Sequence, residues 1–346
     1  MLPNIWFAIV AVMVALYVVL DGFDIGAGII HLCVARNIEE RRLVLKSIGP
    51  VWDGNEVWLI AGGGALFCAF PLLYASAFSG FYLPLMVVLW LLILRGIAIE
   101  FRNQLNNALW TPLWDTVFSL ASAMLAVFYG AALGNVVRGV PLDANHEFFL
   151  PLWTNFMPGT NAGILDWYTL LTGAFAFLTL ALHGALWINL KTEGEIQARA
   201  RRVARVAWYA VAAFTAVTTF ASWSIQPAIA LSFAARPAGY LFPLLAVAGL
   251  AGMWIFLLRR AELAAFLASC IYIIGMLTSL VFGVFPNVLP SNADPALSLT
   301  IHNASAPESG LRIALLWFTP GIVLVFGYFV FLYRKFAGKV TAEAGH

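Results

Sequence analysis

The chain has 346 residues, 62% apolar and only 10% charged, and its mean hydropathy of +0.89 excludes a water-soluble fold. A formal net charge of +2 with scattered Lys and Arg excludes a nucleic-acid surface. Three cysteines, Cys33, Cys68 and Cys270, lie in apolar sequence without C-x-x-C spacing, which argues against a disulfide framework or a zinc site.

One hydrocarbon span takes about 20 apolar residues. Runs of suitable length cover 5–34, 54–73, 77–99, 112–137, 163–190, 203–233, 237–258, 263–285 and 311–333. The first run has no Lys or Arg ahead of it and continues past any cleavage site, so it reads as a retained span and not as a signal peptide. The expected fold is all-α and polytopic, with nine transmembrane helices arranged as two four-helix bundles plus one peripheral helix. Residues 1–137 form the first bundle, 138–162 an external loop and 163–286 the second bundle. Residues 287–346 supply another external loop, the ninth helix and a cytoplasmic tail. A charged cytoplasmic link at 191–202 and a faint repeat argue for the two bundles. In the repeat, Phe81-Tyr82-Leu83-Pro84-Leu85 resembles Tyr240-Leu241-Phe242-Pro243-Leu244. Basic residues set the orientation. With the N-terminus outside, the external loops hold only Arg138, Arg236 and Arg312, Arg95 lies within a span, and all other Lys and Arg are cytoplasmic.

Charged side chains within spans cost roughly 3 kcal/mol each on insertion scales and so mark pairs or pathways. Asp21 lies about 24 Å along the first helix from Ile5, and Asp24 follows on a similar face. Arg95, Glu100, Asp53 and Glu56 fall at a similar depth, so these charges converge on one cytoplasmic edge. One reading is a structural ion-pair cluster of Asp21, Asp24, Arg95 and Glu100; the other is a pathway. Asp53-Gly54-Asn55-Glu56 has the form of a capping box opening the second helix. Gly22, Gly26 and the run Gly62 to Gly64 suit close helix packing.

Haem iron in membrane redox proteins usually takes a His ligand. His146 and His302 fall in external loops, His346 is the last residue, and His31 sits at the end of the first helix. His183 alone is well inside a span, without a second His one turn away, and its expected role is a polar contact. No dinucleotide, P-loop or HExxH motif is present.

Three segments are more specific. Asp21-Gly22-Phe23-Asp24-Ile25-Gly26-Ala27-Gly28, then Ile48-Gly49-Pro50-Val51-Trp52-Asp53-Gly54-Asn55-Glu56-Val57-Trp58-Leu59, and Ala77-Phe78-Ser79-Gly80-Phe81-Tyr82 resemble subunit II of the cytochrome bd-type quinol oxidases, including their cyanide-insensitive branch. The resemblance implies a bacterial inner-membrane complex that oxidises quinol and reduces dioxygen to water. Haems b and haem d would belong to the partner subunit I, and this chain would bind none. It also implies a cytoplasmic proton route through Asp53, with Asn55 and Glu56 beside it, and a dioxygen inlet near Trp58. Some members hold a quinone in this subunit, and some complexes carry a small third subunit. The competing class is a secondary transporter, whose site should lie at the midplane and not at one edge.

Overall fold

Proline placement decides where the apolar runs become separate helices. The structure is a computed structural model that describes residues 1–105 and 107–340. Helix α1 (Leu2–Val34) is followed by α2 (Ile38–Ile48), α3 (Trp52–Ala69), α4 (Pro71–Gly80), α5 (Tyr82–Phe101) and α6 (Trp110–Arg138). Next come α7 (Trp167–Lys191), α8 (Gly194–Ile225), α9 (Pro227–Ala235), α10 (Leu241–Leu258), α11 (Glu262–Val284) and α12 (Glu308–Lys335). Proline lacks an N–H and clashes with the preceding turn, but suits the first position of a new helix. Pro71 therefore divides the second apolar run into α3 and α4, and Pro227 divides the sixth into α8 and α9. The orders α3–α4–α5–α6 and α8–α9–α10–α11 thus share one pattern: a helix, a short proline-started helix, and two long helices.

Among the described residues eight helices are long and apolar enough to cross a membrane: α1, α5, α6, α7, α8, α10 with its leading turn, α11 and α12. Helix α3 is the exception among the nine expected spans, because polar Asp53, Asn55 and Glu56 crowd its first turns. Helix α1 packs against α3, α6 and α7; α6 also against α5 and α7; α7 against α8 and α11; and α10 against α11. The core lies where α1, α7 and α11 meet. There Phe23 stacks on Trp187 with ring centroids 4.0 Å apart, and His183 stacks on Phe266. Helix α12 lies on the outside, with only Leu311 and Leu332 buried.

Several expectations change. The link expected at 191–202 shrinks to Thr192 and Glu193, because α8 already starts at Gly194 and its arginines are helical. Residues past α12 hold this turn: Lys191 Nζ donates to the Phe336 carbonyl at 2.6 Å, and Val340 N–H donates to the Lys191 carbonyl. Helix α2 was not expected. It is amphipathic, and the Asn37 side chain caps it by accepting from Glu40 N–H at 2.8 Å. The two external segments are joined, since Val140 N–H donates to Pro290 O and Asn292 N–H to Val140 O. Within the second, β1 (Asn287–Leu289) pairs antiparallel with β2 (Leu299–Thr300).

The glycines separate into two kinds. A Cβ on Gly26 would overlap the Leu180 carbonyl and the backbone of Gly184, so α1 and α7 touch there, as close packing requires. Gly63 and Gly64 have nothing within 4 Å of an added Cβ, and Gly62 meets only Met13 at 3.9 Å. Gly63 and Gly64 therefore pack closely against no helix of this chain, while buried Gly62 meets α1 at ordinary van der Waals distance.

Candidate functional site

Asp21 and Asp24 are three residues apart and share one face of α1, toward α3 and α5. Asp21, Asp24, Asn55 and Arg95 are all fully or almost fully buried. Arg95 Nη2 donates to Asp21 Oδ1 at 2.6 Å and to Glu56 Oε2 at 3.5 Å. Neighbours on α3 diverge by about 100°, so Glu56 reaches α5 while Asn55 turns toward α1. Asn55 Nδ2 donates to Asp24 Oδ2 at 2.7 Å and to the Leu20 carbonyl, and Tyr333 donates its hydroxyl to Asn55 Oδ1 at 3.0 Å. The hydroxyls of Tyr17 and Tyr129 share a bond of 2.8 Å.

The cluster is not saturated by protein. Asp21 Oδ2, Asp24 Oδ1, Arg95 Nε and Arg95 Nη1 are buried without a protein partner. Buried polar atoms are nearly always hydrogen-bonded, so these four can engage water inside the bundle. Glu56 is half-buried and Asp53 exposed, which leads the cluster to the surface at the start of α3.

Two sequence expectations fail here. Glu100 is exposed and stands apart from the cluster; five residues beyond Arg95 it has turned about 140° around α5. The capping box does not form, because α3 starts at Trp52 with Val51 at its cap position. Asp53 therefore sits inside the first turn, where a carboxylate favours the helix dipole, and Glu56 turns to Arg95 instead of reaching back.

Trp58 is buried against Met13, Tyr17 and, edge on, Phe329 of α12. His183 has both ring nitrogens engaged, Nδ1 with Ser269 Oγ at 2.7 Å and Nε2 with the Val19 carbonyl at 2.9 Å.

A second buried cluster escaped the sequence reading. Asp115, in the second turn of α6, accepts from His31 Nε2 at 3.0 Å, Arg102 Nε at 2.5 Å and Arg41 Nη1 at 3.3 Å. It ties α1, α2 and the end of α5 to α6. The one available signal was a lone Asp near the start of the apolar run 112–137. At the opposite end, Arg138 pairs with Asp166 and donates to Asn135 Oδ1 at 2.7 Å. Among the described residues no group of three or more His, Cys, Asp or Glu is arranged to hold a metal ion.

Comparison with known proteins identifies the family. The family model for cytochrome bd terminal oxidase subunit II matches residues 2–336. The cytochrome bd ubiquinol oxidase subunit 2 of Bacillus subtilis is 32% identical, over 96% of both chains. The cytochrome bd-I ubiquinol oxidase subunit 2 of Escherichia coli K12 is 29% identical, over 98% of this chain and 95% of its own. A chain in the structure of bd oxidase from Geobacillus thermodenitrificans shares the fold, with a TM-score of 0.73 at 14% identity over 97% of this chain and 98% of that one. The chain belongs to the cytochrome bd terminal oxidase subunit II family and is a multi-pass inner-membrane subunit of a bd-type oxidase, with a subunit I as its partner.

Proposed function

We propose that this subunit supports a haem-bearing, quinol-oxidising subunit I and brings it protons from the cytoplasm. The observation that carries this is the graded polar line from exposed Asp53 through half-buried Glu56 to buried Arg95 and Asp21, beside Asn55 and Asp24. Reduction of dioxygen to water consumes protons, and charge crosses hydrocarbon only through titratable or water-lined groups. Asp53 takes the proton at the surface, Glu56 is the next carboxylate inward, and the unpartnered oxygens of Asp21 and Asp24 accept the water that continues the line.

In this reading α3 is the ninth crossing, the helices divide into the two bundles expected from the repeat, and the N-terminus lies outside. Haems b and haem d lie in subunit I, in keeping with the two engaged nitrogens of His183. A structurally held quinone would fit the cavity of about 250 Å³ between α1, α6, α7, α8 and α11, whose apolar walls carry the hydroxyls of Tyr168, Thr218 and Ser222. Trp58 marks the dioxygen inlet from the lipid side.

The Asp53→Asn variant tests the route. It removes the titratable group but no cap, so the complex should assemble with its haem spectrum unchanged while quinol-driven oxygen consumption falls at least tenfold. Near-normal turnover would refute the role.

A further inference from the structure

We propose that Tyr333 of α12 is a positioning residue for proton transfer: through Asn55 it fixes which oxygen of Asp24 takes up and releases the proton. This role rests on the cytoplasmic route proposed above.

The amide of Asn55 offers two N–H donors and one carbonyl acceptor, and all three are engaged. Both donors point to α1, one to the Leu20 carbonyl at 3.2 Å and one to Asp24 Oδ2 at 2.7 Å. The carbonyl oxygen accepts from the Tyr333 hydroxyl at 3.0 Å. Turned over, the amide would set its oxygen against the Leu20 carbonyl, which has no proton to give. Asn55 is fully buried, so bulk water does not compete for these bonds. Its plane is held at both ends, by α1 and by α12.

The consequence falls on Asp24. An amide nitrogen only donates, so a proton on Oδ2 would meet the Asn55 N–H head-on. Oδ1 is buried without a protein partner, and it is the oxygen on which the proton can sit. When a proton arrives along water, an O–H bond forms at Oδ1 as one breaks on the hydronium ion, and release reverses the exchange. Asp21 is arranged in the same sense, with Oδ1 held by Arg95 and Oδ2 unpartnered. In both acids the protein occupies one oxygen and leaves the other to exchange.

Tyr333 is well held. Its ring centroid lies 6.2 Å from that of Phe329 and 6.4 Å from that of Trp187. It follows Leu332, one of the two buried residues of α12, and three residues later the Phe336 carbonyl accepts from Lys191 Nζ. These contacts are internal to the chain and do not depend on what covers the outer face of α12. Without the hydroxyl, Asn55 Oδ1 becomes a buried acceptor with no protein donor, and the amide is released to seek water and swing off Asp24.

The test uses the purified complex of both subunits. Tyr333→Phe keeps the ring and removes only the hydroxyl, so subunit yield and haem spectrum should match wild type. Quinol-driven oxygen consumption should fall about fivefold, the factor expected for one hydrogen bond of ordinary strength. The solvent deuterium isotope effect on that rate should rise, because proton transfer becomes limiting. Asn55→Ala should fall at least as far, and adding Tyr333→Phe to it should lower the rate no further, since Tyr333 acts through Asn55. A wild-type rate and isotope effect in Tyr333→Phe would overturn the proposal; if Asp53→Asn is impaired in the same preparation, the proton route itself survives that result. Near-normal turnover in Asp53→Asn removes the route and this role with it. Loss of haem or of subunit I from Tyr333→Phe, or effects that multiply in the double variant, would also overturn the proposal by showing that Tyr333 acts on its own. Should Asn55→Ala fail to assemble, the rate and isotope effect of Tyr333→Phe decide alone.

Discussion

The two buried charge clusters near the ends of α1 and α5 use the same residue types to opposite effect. Around Asp115 both carboxylate oxygens are taken, by His31, Arg41 and Arg102, and one acid ties four helices together. Around Arg95 the acids outnumber the base, two carboxylate oxygens and two guanidinium nitrogens lack protein partners, and one carboxylate is half-open. An acid with both oxygens engaged holds elements in place, even though His31 Nδ1 and Arg41 Nε beside it lack partners; acids that keep unpartnered oxygens leave lone pairs free to exchange with water. The difference lies in the stoichiometry of cations and acids: three basic side chains face Asp115, whereas Arg95 alone serves Asp21 and Glu56.

That contrast can be broken most forcefully at Asp115. The Asp115→Leu variant strands two arginines and a histidine, and uncompensated buried charge costs about 3–5 kcal/mol. The complex should assemble poorly, as measured by the yield of paired subunits and by its thermal midpoint. Arg95→Leu should cost somewhat less, about 3 kcal/mol, because water can still reach the unpartnered oxygens of Asp21 and Asp24. Combining it with Asp21→Asn should recover part of the loss; a double variant no better than Arg95→Leu would show that the pair contributes nothing. Glu56→Gln keeps a hydrogen-bond acceptor for Arg95 but removes a titratable group. Assembly should be preserved while oxygen consumption drops about tenfold, equivalent to about 1.4 kcal/mol on the barrier. The same exchange of carboxylate for amide, made as Asp166→Asn in the Arg138 pair, should leave turnover within twofold. The smallest effect is expected at Gly64→Ala, which adds a methyl where no neighbour stands and gains helix propensity. Its stability should be unchanged or raised, by less than about 1 kcal/mol, as read from the thermal midpoint.

Much of the Arg95 cluster was legible because each member is a charged residue inside an apolar run, visible without knowing its neighbours. Glu100 was misassigned for a simple reason: depth along α5 was counted, but the turn of about 140° that separates it from Arg95 was not. The Asp115 cluster stayed hidden because its cations come from the end of α1, from α2 and from the α5 end, segments that read as ordinary cytoplasmic basics. Only tertiary packing brings them to one acid. The glycines show the same limit. Gly26 and Gly64 look alike in sequence, yet one lies against a backbone carbonyl and the other faces open space. The division of two apolar runs at Pro71 and Pro227 follows from proline chemistry, but hydropathy counting smoothed both breaks away.

The residues that follow α12 bear on the order in which this protein can finish folding. Phe336 and Val340 bond to Lys191, and Lys339 reaches both the Thr192 carbonyl and the carboxylate of Glu262. These residues leave the ribosome after α12 itself, whereas the α7–α8 turn and the start of α11 are made much earlier. Until α12 has inserted and delivered its last turn, that turn lacks its strap and Glu262 lacks one of its cations. A segment made after α12 therefore fastens a joint near the middle of this sequence, and a ribosome stalled within α12 would leave the α7–α8 joint open.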